Sequence, residues 1–298
     1  MSEILIIVGP TASGKSSLAV ELAKKYDGEI INGDSVAVYR ELNIGSAKTT
    51  EQQQQGVPHH LLDYVEVSEE YSVARFQKDC RQAIEEISSR GKLPIVVGGT
   101  GLYIKAMLYD YDFKPTGSGE EKDYSSFSNE ELYEMLKSKD EVSAQSIHPN
   151  NRKRVIRALQ IADSGTLKSE SEAAQNHEPI YDSLIIGLTM DRDRLKERID
   201  KRVDEMMKTG LLQEVTELNN RYSLSERCFS AIGYKEFREY FTGLQTLEET
   251  VELIKTHTRQ FAKRQYTWFN HQMPVCWFDV EDSDFREKIE KKIEGFRK

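Results

Sequence analysis

The sequence predicts an α/β protein: a P-loop, three-layer fold with a mainly parallel sheet and a helical insertion domain. Three observations predict it. Short apolar runs of buried-strand type alternate with segments of helical period. The first run leads straight into the glycine-rich stretch "GPTASGKS". Between residues 115 and 182 strand signals stop while helix signals continue. Strands that alternate with helices imply parallel pairing through right-handed crossovers.

The elements follow in order. Ile4–Val8 is a short apolar run, and Ser16–Tyr26 carries Leu18, Leu22 and Tyr26 at helical spacing, so the chain begins strand, loop, helix. Further strand-type runs stand at Glu29–Asn32, Leu93–Val97, Leu184–Leu188 and Val275–Phe278. Ser72 can cap a helix whose apolar positions include Val73, Phe76, Cys80, Ile84 and Ile87, and Gly91 can end it. Lys114–Asp123, rich in Gly, Pro, Ser and charge, suits a linker. Ser128 with Glu131 forms a capping-box pair ahead of "LYEMLK", and "RVIRALQIADSG" reads as a helix stopped at Gly165. The expected organisation is therefore a catalytic core of 1–114 and 183–298 with a helical insertion at 115–182. In "DRDRLKERIDKRVDEMMKTG", Leu195, Ile199, Val203 and Met206 or Met207 make one stripe ending at Gly210. Thr246 with Glu249 opens a long last helix through "THTRQFAKRQYTWFN".

Composition removes several classes. The 298 residues are 38% hydrophobic and 31% charged, ordinary for a globular protein. Cys80, Cys228 and Cys276 lie far apart, with no pair at ligand spacing, which supports neither a disulfide framework nor a zinc site and suits a reducing, cytoplasmic setting. No apolar run approaches the roughly 20 residues that cross a bilayer, so no membrane partner is expected. The net charge of −9 argues weakly against general nucleic-acid binding, yet a global sum hides local patches.

The chemistry starts at the glycine loop. Gly9, Pro10, Thr11, Ala12, Ser13, Gly14, Lys15 and Ser16 fit GxxxxGKS: backbone N–H groups and a helix N-terminus for phosphate oxygens, Lys15 for the terminal phosphates, the Ser16 hydroxyl for Mg²⁺. The alternative, an incidental glycine turn, fits poorly between a strand and a helix. P-loop proteins that transfer phosphoryl groups carry a second acid at a strand end to support Mg²⁺. Here "LPIVV" ends in Gly98-Gly99-Thr100, without an acid. The acid stands instead at Asp34, just past the second strand, at the carboxyl edge where α/β sheets bind ligands. As a plain turn former it would need no ligand; as a functional group it faces whatever approaches the phosphate.

These stretches, together with "GDSVAVYRELNIGSAK", "GVPHHLLD", "VVGGTGLYIKA", "HPNNRKRVIRAL" and "AIGYKE", resemble the successive signatures of the tRNA dimethylallyltransferases over nearly the whole chain. The resemblance implies transfer of the dimethylallyl group of dimethylallyl diphosphate to the exocyclic amine of the adenosine 3′ to a tRNA anticodon, with pyrophosphate leaving and Mg²⁺ assisting. It makes Asp34 the general base, sets Ser35, Val36 and Ala37 beside the target base, places Thr100 near the reacting nucleotide, and points to Arg198 or Arg202 at the diphosphate. It also implies a compact bacterial form. Arg194, Arg198 and Arg202 fall at i, i+4, i+8 on one helix face, where interleaved Asp193, Glu197 and Asp200 offer a solvated salt-bridge face as the competing explanation.

Two basic clusters answer the objection from net charge. Arg152, Lys153, Arg154 and Arg157 lie in the insertion, and Arg259, Lys263 and Arg264 lie on the late helix near Tyr266 and Trp268. Any one such cluster is usually plain surface, but phosphate contacts with aromatic stacking suit an unstacked loop base, and with both clusters in family-matched positions the resemblance implies a tRNA anticodon stem-loop as the partner of a monomeric protein. The family's arginine after "GLYIKAMLYDYDF" is missing, and Lys122 stands as its substitute. His59 and His60, adjacent in a loop, point opposite ways and suit anchoring better than metal. A nucleotide or small-metabolite kinase, an enzyme that prenylates free adenine nucleotides and a non-catalytic P-loop RNA-binding module are the rivals; the missing acid weighs against the first, the basic clusters and insertion against the second, and the third predicts tRNA binding with no prenylated product.

Overall fold

A computed structural model describes residues 2–111, 122–165, 167–173, 176–222 and 227–297. Strand β1 (Glu3–Val8) is fully buried from Ile4 on, which is why its apolar run is continuous rather than alternating. It ends at Gly9, where φ is 140° and the Leu188 carbonyl lies 2.6 Å from where a Cβ would sit; no side chain fits. Helix α1 (Lys15–Lys25) buries Leu18, Ala19, Leu22 and Ala23, and Lys24 and Lys25 complement the negative end of its dipole. After β2 (Gly28–Asn32), the capped turn α2 (Glu51–Gln54) leads to the short β3 (His59–His60). Helix α3 (Val73–Ser89) opens where the Ser72 side chain accepts from the Arg75 N–H, and it buries Phe76, Cys80, Ala83, Ile84 and Ile87. Strand β4 (Leu93–Val97), α4 (Gly101–Leu108) and β5 (Tyr109–Asp110) follow.

Then come α5 (Asn129–Lys139), opened by the Ser128/Glu131 capping box, α6 (Glu141–Ser146), α7 (Arg152–Asp163), α8 (Lys168–Ala173) and β6 (Asn176–Pro179). The chain continues with β7 (Asp182–Thr189), α9 (Arg192–Lys208), α10 (Leu211–Arg221), a 3₁₀ turn at Arg227–Ser230 and α11 (Phe237–Phe241). It closes with α12 (Leu247–Gln272), under the Thr246/Glu249 capping box, β8 (Cys276–Asp279) and α13 (Phe285–Phe296).

Among the described residues the main sheet has six strands in the order β3-β2-β4-β1-β7-β8, every neighbouring pair parallel. Leu5 stands opposite Ile95 on one side and Leu184 on the other. Leu5, Ile7, Ile95, Val97 and Ile186 share a core with α1 and with Phe285, Ile289 and Ile293 of α13. Residues between them point the other way, and α3 packs on β2 and β4 there. Helices thus cover both faces, which is the expected three-layer α/β fold.

The chain divides into two compact units, Met1–Leu108 with Pro179–Lys298, and Tyr109–Glu178. The second has its own core of Tyr124, Leu132, Leu136, Ala144, Ile147, Val155, Ala158 and Leu159. Two expectations need correction. A strand, β6, lies inside the stretch that showed none, paired with β5 in a two-stranded sheet, and His59-His60 forms an edge strand instead of a loop. Both are short polar segments held by backbone hydrogen bonds, so no apolar pattern announces them. The linker reading of Lys114–Asp123 falls mostly on residues outside those described.

Candidate active site

The site gathers at the carboxyl edge of the sheet, from β1, β2 and β4 and from helices α9 and α12. The loop after β1 alternates unusual dihedrals: φ is positive at Gly9, Ala12 and Gly14. Such alternation turns successive N–H groups into one concavity, an anion nest at the start of α1. The Ser13 hydroxyl is buried there without a hydrogen-bond partner, an orphan that an anion would satisfy. Behind the loop, Ala12 packs on Ile199 of α9 and Ala262 of α12, with Leu195 alongside. Lys15 donates to its own loop's Pro10 carbonyl at 2.7 Å. Desolvation, then repulsion from Arg202, pushes the Lys15 pKa down to about 7, against the pull of Asp34. An ammonium held this way gains strongly from an incoming anion.

Asp34 stands past the end of β2. Its Oδ1 accepts from the N–H groups of Val36 (2.8 Å) and Ala37 (3.2 Å). Its Oδ2 takes no protein hydrogen bond among the described residues. So Asp34 is a turn former and also presents one carboxylate oxygen to the site; the two readings coexist. Sequence reasoning missed the group that fixes it. Asn32, 8% exposed, donates to the carbonyls of Asp34 and Leu61 and accepts from the Asp34 N–H, clamping the backbone on both sides. A buried amide at the end of an apolar strand, just before Gly-Asp, is the signal that could have found it.

Thr100 directly precedes α4, its carbonyl accepting from the Ile104 N–H. Its hydroxyl turns instead to Ser35, accepting from the Ser35 N–H at 3.1 Å and donating to the Ser35 hydroxyl at 3.3 Å. The ends of β2 and β4 meet closely here: a Cβ on Gly98 would lie 2.2 Å from the Gly33 carbonyl oxygen. Thr100, Ser35 and Asp34 are therefore brought together, with Val36 and Ala37 in the same turn.

Helix α9 brings both candidate arginines to the loop. One guanidinium nitrogen of Arg198 lies 4.0 Å from where a Gly14 Cβ would sit, and Arg202 is near enough to depress Lys15. Desolvation, then Arg198 beside it, lowers the Arg202 pKa. Two acids of α9 turn to α12: both oxygens of Asp200 accept from Arg259 Nη1, at 2.8 and 3.0 Å, and Asp204 pairs with Lys255 at 2.8 Å. Arg194 pairs with Glu281. Asp200 and Asp204 are thus neutralised by α12, while Arg198 and Arg202 stand toward the loop.

The remaining basic residues divide by partner. Arg152 donates to the carbonyls of Tyr124, Ser125 and Phe127 and to Asn129, and Arg259 is spent on Asp200. Lys153, Arg154, Arg157, Lys263 and Arg264 are exposed, Arg264 over the Phe261 ring. Lys122 is exposed and lies over the Tyr124 ring, 5.7 Å from its centre. His60 bonds Glu29 and His59 bonds the Val57 carbonyl, on opposite sides of their strand. No cluster of three or more His, Cys, Asp or Glu among the described residues could hold a metal. No described helix is long and apolar enough to cross a membrane.

A parallel α/β sheet carrying an anion nest, a turn-held carboxylate and two arginines at one edge is the frame of a P-loop transferase, without the second acid of a phosphoryl-transfer site. Residues 37–272 match the IPP transferase family. A tRNA dimethylallyltransferase of Anoxybacillus flavithermus is 47% identical over 294 residues, covering 98% of this chain and 94% of its own. Among solved structures, the full-length tRNA isopentenylpyrophosphate transferase of Bacillus halodurans is 41% identical, with a TM-score of 0.78 over 99% of this chain and 97% of its own. A eukaryotic dimethylallyltransferase acting on tRNA is 34% identical, with a TM-score of 0.85 over 98% of this chain and 78% of its own. The chain belongs to the IPP transferase family.

Proposed function

We propose that the protein moves the dimethylallyl group from dimethylallyl diphosphate to the exocyclic N6 amine of the adenosine 3′ to the anticodon in tRNA. Pyrophosphate is released, and the protein works as a monomer in the cytoplasm. The observation that carries this reading is the facing pair at the sheet edge: an anion nest with Lys15, Arg198 and Arg202 on one side, and the unbonded Oδ2 of Asp34 on the other.

The adenine nitrogen attacks the allylic C1 and the C1–O bond breaks, its electron pair leaving with pyrophosphate. The nest, Lys15 and the two arginines neutralise the charge that grows on the diphosphate as that bond ionises. The N6 proton passes to Asp34 Oδ2, because an aromatic exocyclic amine must shed a proton as it is alkylated. Thr100, Ser35, Val36 and Ala37 hold the base beside that oxygen. Mg²⁺ suits a site where the exposed Ser16 and phosphate oxygens supply hard ligands; when bound it adds Lewis-acid support to the leaving group. Lys122, Lys153, Arg154, Arg157, Lys263 and Arg264 offer charges to the RNA backbone.

The test is to incubate the protein with labelled dimethylallyl diphosphate, Mg²⁺ and either tRNA or AMP. Label in tRNA at the adenosine beside the anticodon is expected. Label in AMP but not tRNA, or consumption of ATP in place of the prenyl donor, overturns the reading.

A further inference from the structure

Gln265, on α12, is 5% exposed and lies on the same helix stripe as the buried Ala262 and Phe269. A buried amide is costly unless both its ends are bonded, and both are. Its Oε1 accepts from the Thr11 N–H in the phosphate loop at 2.8 Å. Its Nε2 donates to the Gly99 carbonyl, just before Thr100, at 3.0 Å. The two partners sit 88 positions apart in sequence, 99 minus 11, on loops that follow different strands.

The glycines on either side of Thr100 are shaped to the same helix. A Cβ on Gly99 would fall 2.0 Å from Gln265 Nε2, and a Cβ on Gly101 would fall 2.2 Å from the Trp268 ring. Gln265 and Trp268, three apart, share one face of α12. That face presses on both flanks of Thr100, whose hydroxyl turns to Ser35 beside Asp34. A continuous path of contacts runs from the phosphate loop through Gln265, Gly99, Thr100 and Ser35 to the base side of the site.

We infer that Gln265 is a positioning residue for the alkyl transfer: its amide locks the diphosphate-holding loop to the loop that carries Thr100, so that donor and acceptor base meet in register. Gln265 touches neither reactant; it acts through Thr11 and Gly99. This inference rests on the proposed function for its kinetic consequence and on the structure alone for the bridge.

Two variants separate its two bonds. Gln265→Glu keeps an acceptor for the Thr11 N–H but replaces the donor to Gly99 with an oxygen that repels its carbonyl. Gln265→Leu loses both. With tRNA as acceptor, both variants are expected to lose kcat on the order of 10²-fold, the usual cost of a misplacement near 1 Å. KM for dimethylallyl diphosphate should rise about tenfold in Gln265→Leu and stay within about threefold of the parent in Gln265→Glu, because only the former frees the phosphate loop. Amide exchange at Thr11, resolved by NMR, should quicken in Gln265→Leu and not in Gln265→Glu. Unchanged kcat in both variants overturns the positioning role, as does an equal fall in both that tracks a lost melting temperature. If the parent protein transfers no label to tRNA, the proposed function is what fails; Thr11 exchange then decides the bridge, quickened exchange in Gln265→Leu sustaining it and unchanged exchange refuting it.

Discussion

Strand β2 carries a carboxylate near each end, and the two are treated in opposite ways. Glu29, at the amino end, has a side chain only 6% exposed and is surrounded by partners: the His60 ring at 2.7 Å, and the cations Arg90 at 2.7 Å and Lys92 at 3.5 Å. Asp34, past the carboxyl end, has one oxygen tied to two backbone N–H groups and the other unbonded. Burial pushes the Glu29 carboxyl up, but the hydrogen bond from His60 and the charge of Arg90 outweigh it and leave the pKa lowered. Saturation is what structure needs, since a buried charge short of partners costs several kcal/mol. Incomplete satisfaction is what chemistry needs, since a fully bonded oxygen has no lone pair for an incoming proton. The same contrast divides the cations: Lys15, Arg198 and Arg202 crowd one another at the phosphate nest, whereas Arg90, Arg152 and Arg259 each have fixed acceptors.

The sharpest way to break this contrast is at Asp34. Asp34→Ala should cut kcat by about 10³-fold, the usual worth of a positioned general base, while tRNA affinity measured by filter binding stays within a few fold. A variant that still turns over at a tenth of the parent rate would make Asp34 a turn former only. Next in size is Lys15→Met, expected to cost about 10²-fold in kcat/KM for dimethylallyl diphosphate, as for loss of one charge-stabilising donor. Its pH dependence carries a sign. With a pKa near 7 in the free protein, Lys15 is largely neutral at pH 8, and an anion that favours the ammonium must bring a proton with it. Donor binding should therefore weaken as pH rises through 7, and calorimetry in buffers of different ionisation heat should show proton uptake at pH 8. Identical uptake in Lys15→Met would remove Lys15 as its source.

How much of this is legible in the sequence depends on how local the signal is. The phosphate loop, Asp34 and Thr100 are readable because each sits at a strand end and is marked by neighbours a few positions away. The strands β1, β4 and β7 are readable for a related reason: burial on both faces leaves continuous apolar runs. Helix period sets Arg198 and Arg202 on one face but cannot choose between them, and the structure shows why, since both reach the loop. Asn32 is marked only by its place at the end of an apolar strand before Gly-Asp, whereas Gln265 is invisible to such reading: it is one polar residue in an apolar stripe, and its meaning lies in partners that only the fold supplies. Glu214 is hidden in the same way. Its carboxylate accepts from the N–H groups of Asn43, Ile44 and Gly45 and from the Tyr234 hydroxyl, pinning the loop beyond Asp34.

At the saturated end of β2 the expected effect is on stability. Glu29→Gln strands Arg90 and Lys92 without their shared anion; because those partners are a third or more exposed, water recovers part of the loss, and about 2 kcal/mol is expected. A carboxyl with a lowered folded-state pKa stabilises above its unfolded value and loses that contribution as pH falls through the folded one. Parent and variant melting temperatures should therefore differ at pH 7 and converge as pH drops below about 4. Activity per folded molecule should not change.

The smallest effects test the contrast in the unit Tyr109–Glu178, on two arginines of one helix. Arg152 is saturated: its guanidinium closes the turn before α5 by donating to three carbonyls. Arg154 is exposed and spends no side-chain hydrogen bond on the protein among the described residues. Arg152→Ala should lower the melting temperature and leave tRNA binding by the folded fraction nearly unchanged. Arg154→Ala should leave the melting temperature unchanged and raise KM for tRNA a few fold. A lost phosphate contact also flattens the salt dependence of tRNA binding, by about one unit in the slope of log K against log salt. A stability loss in Arg154→Ala with no change in that slope would show that partner saturation does not separate structural from RNA-facing charge in this unit.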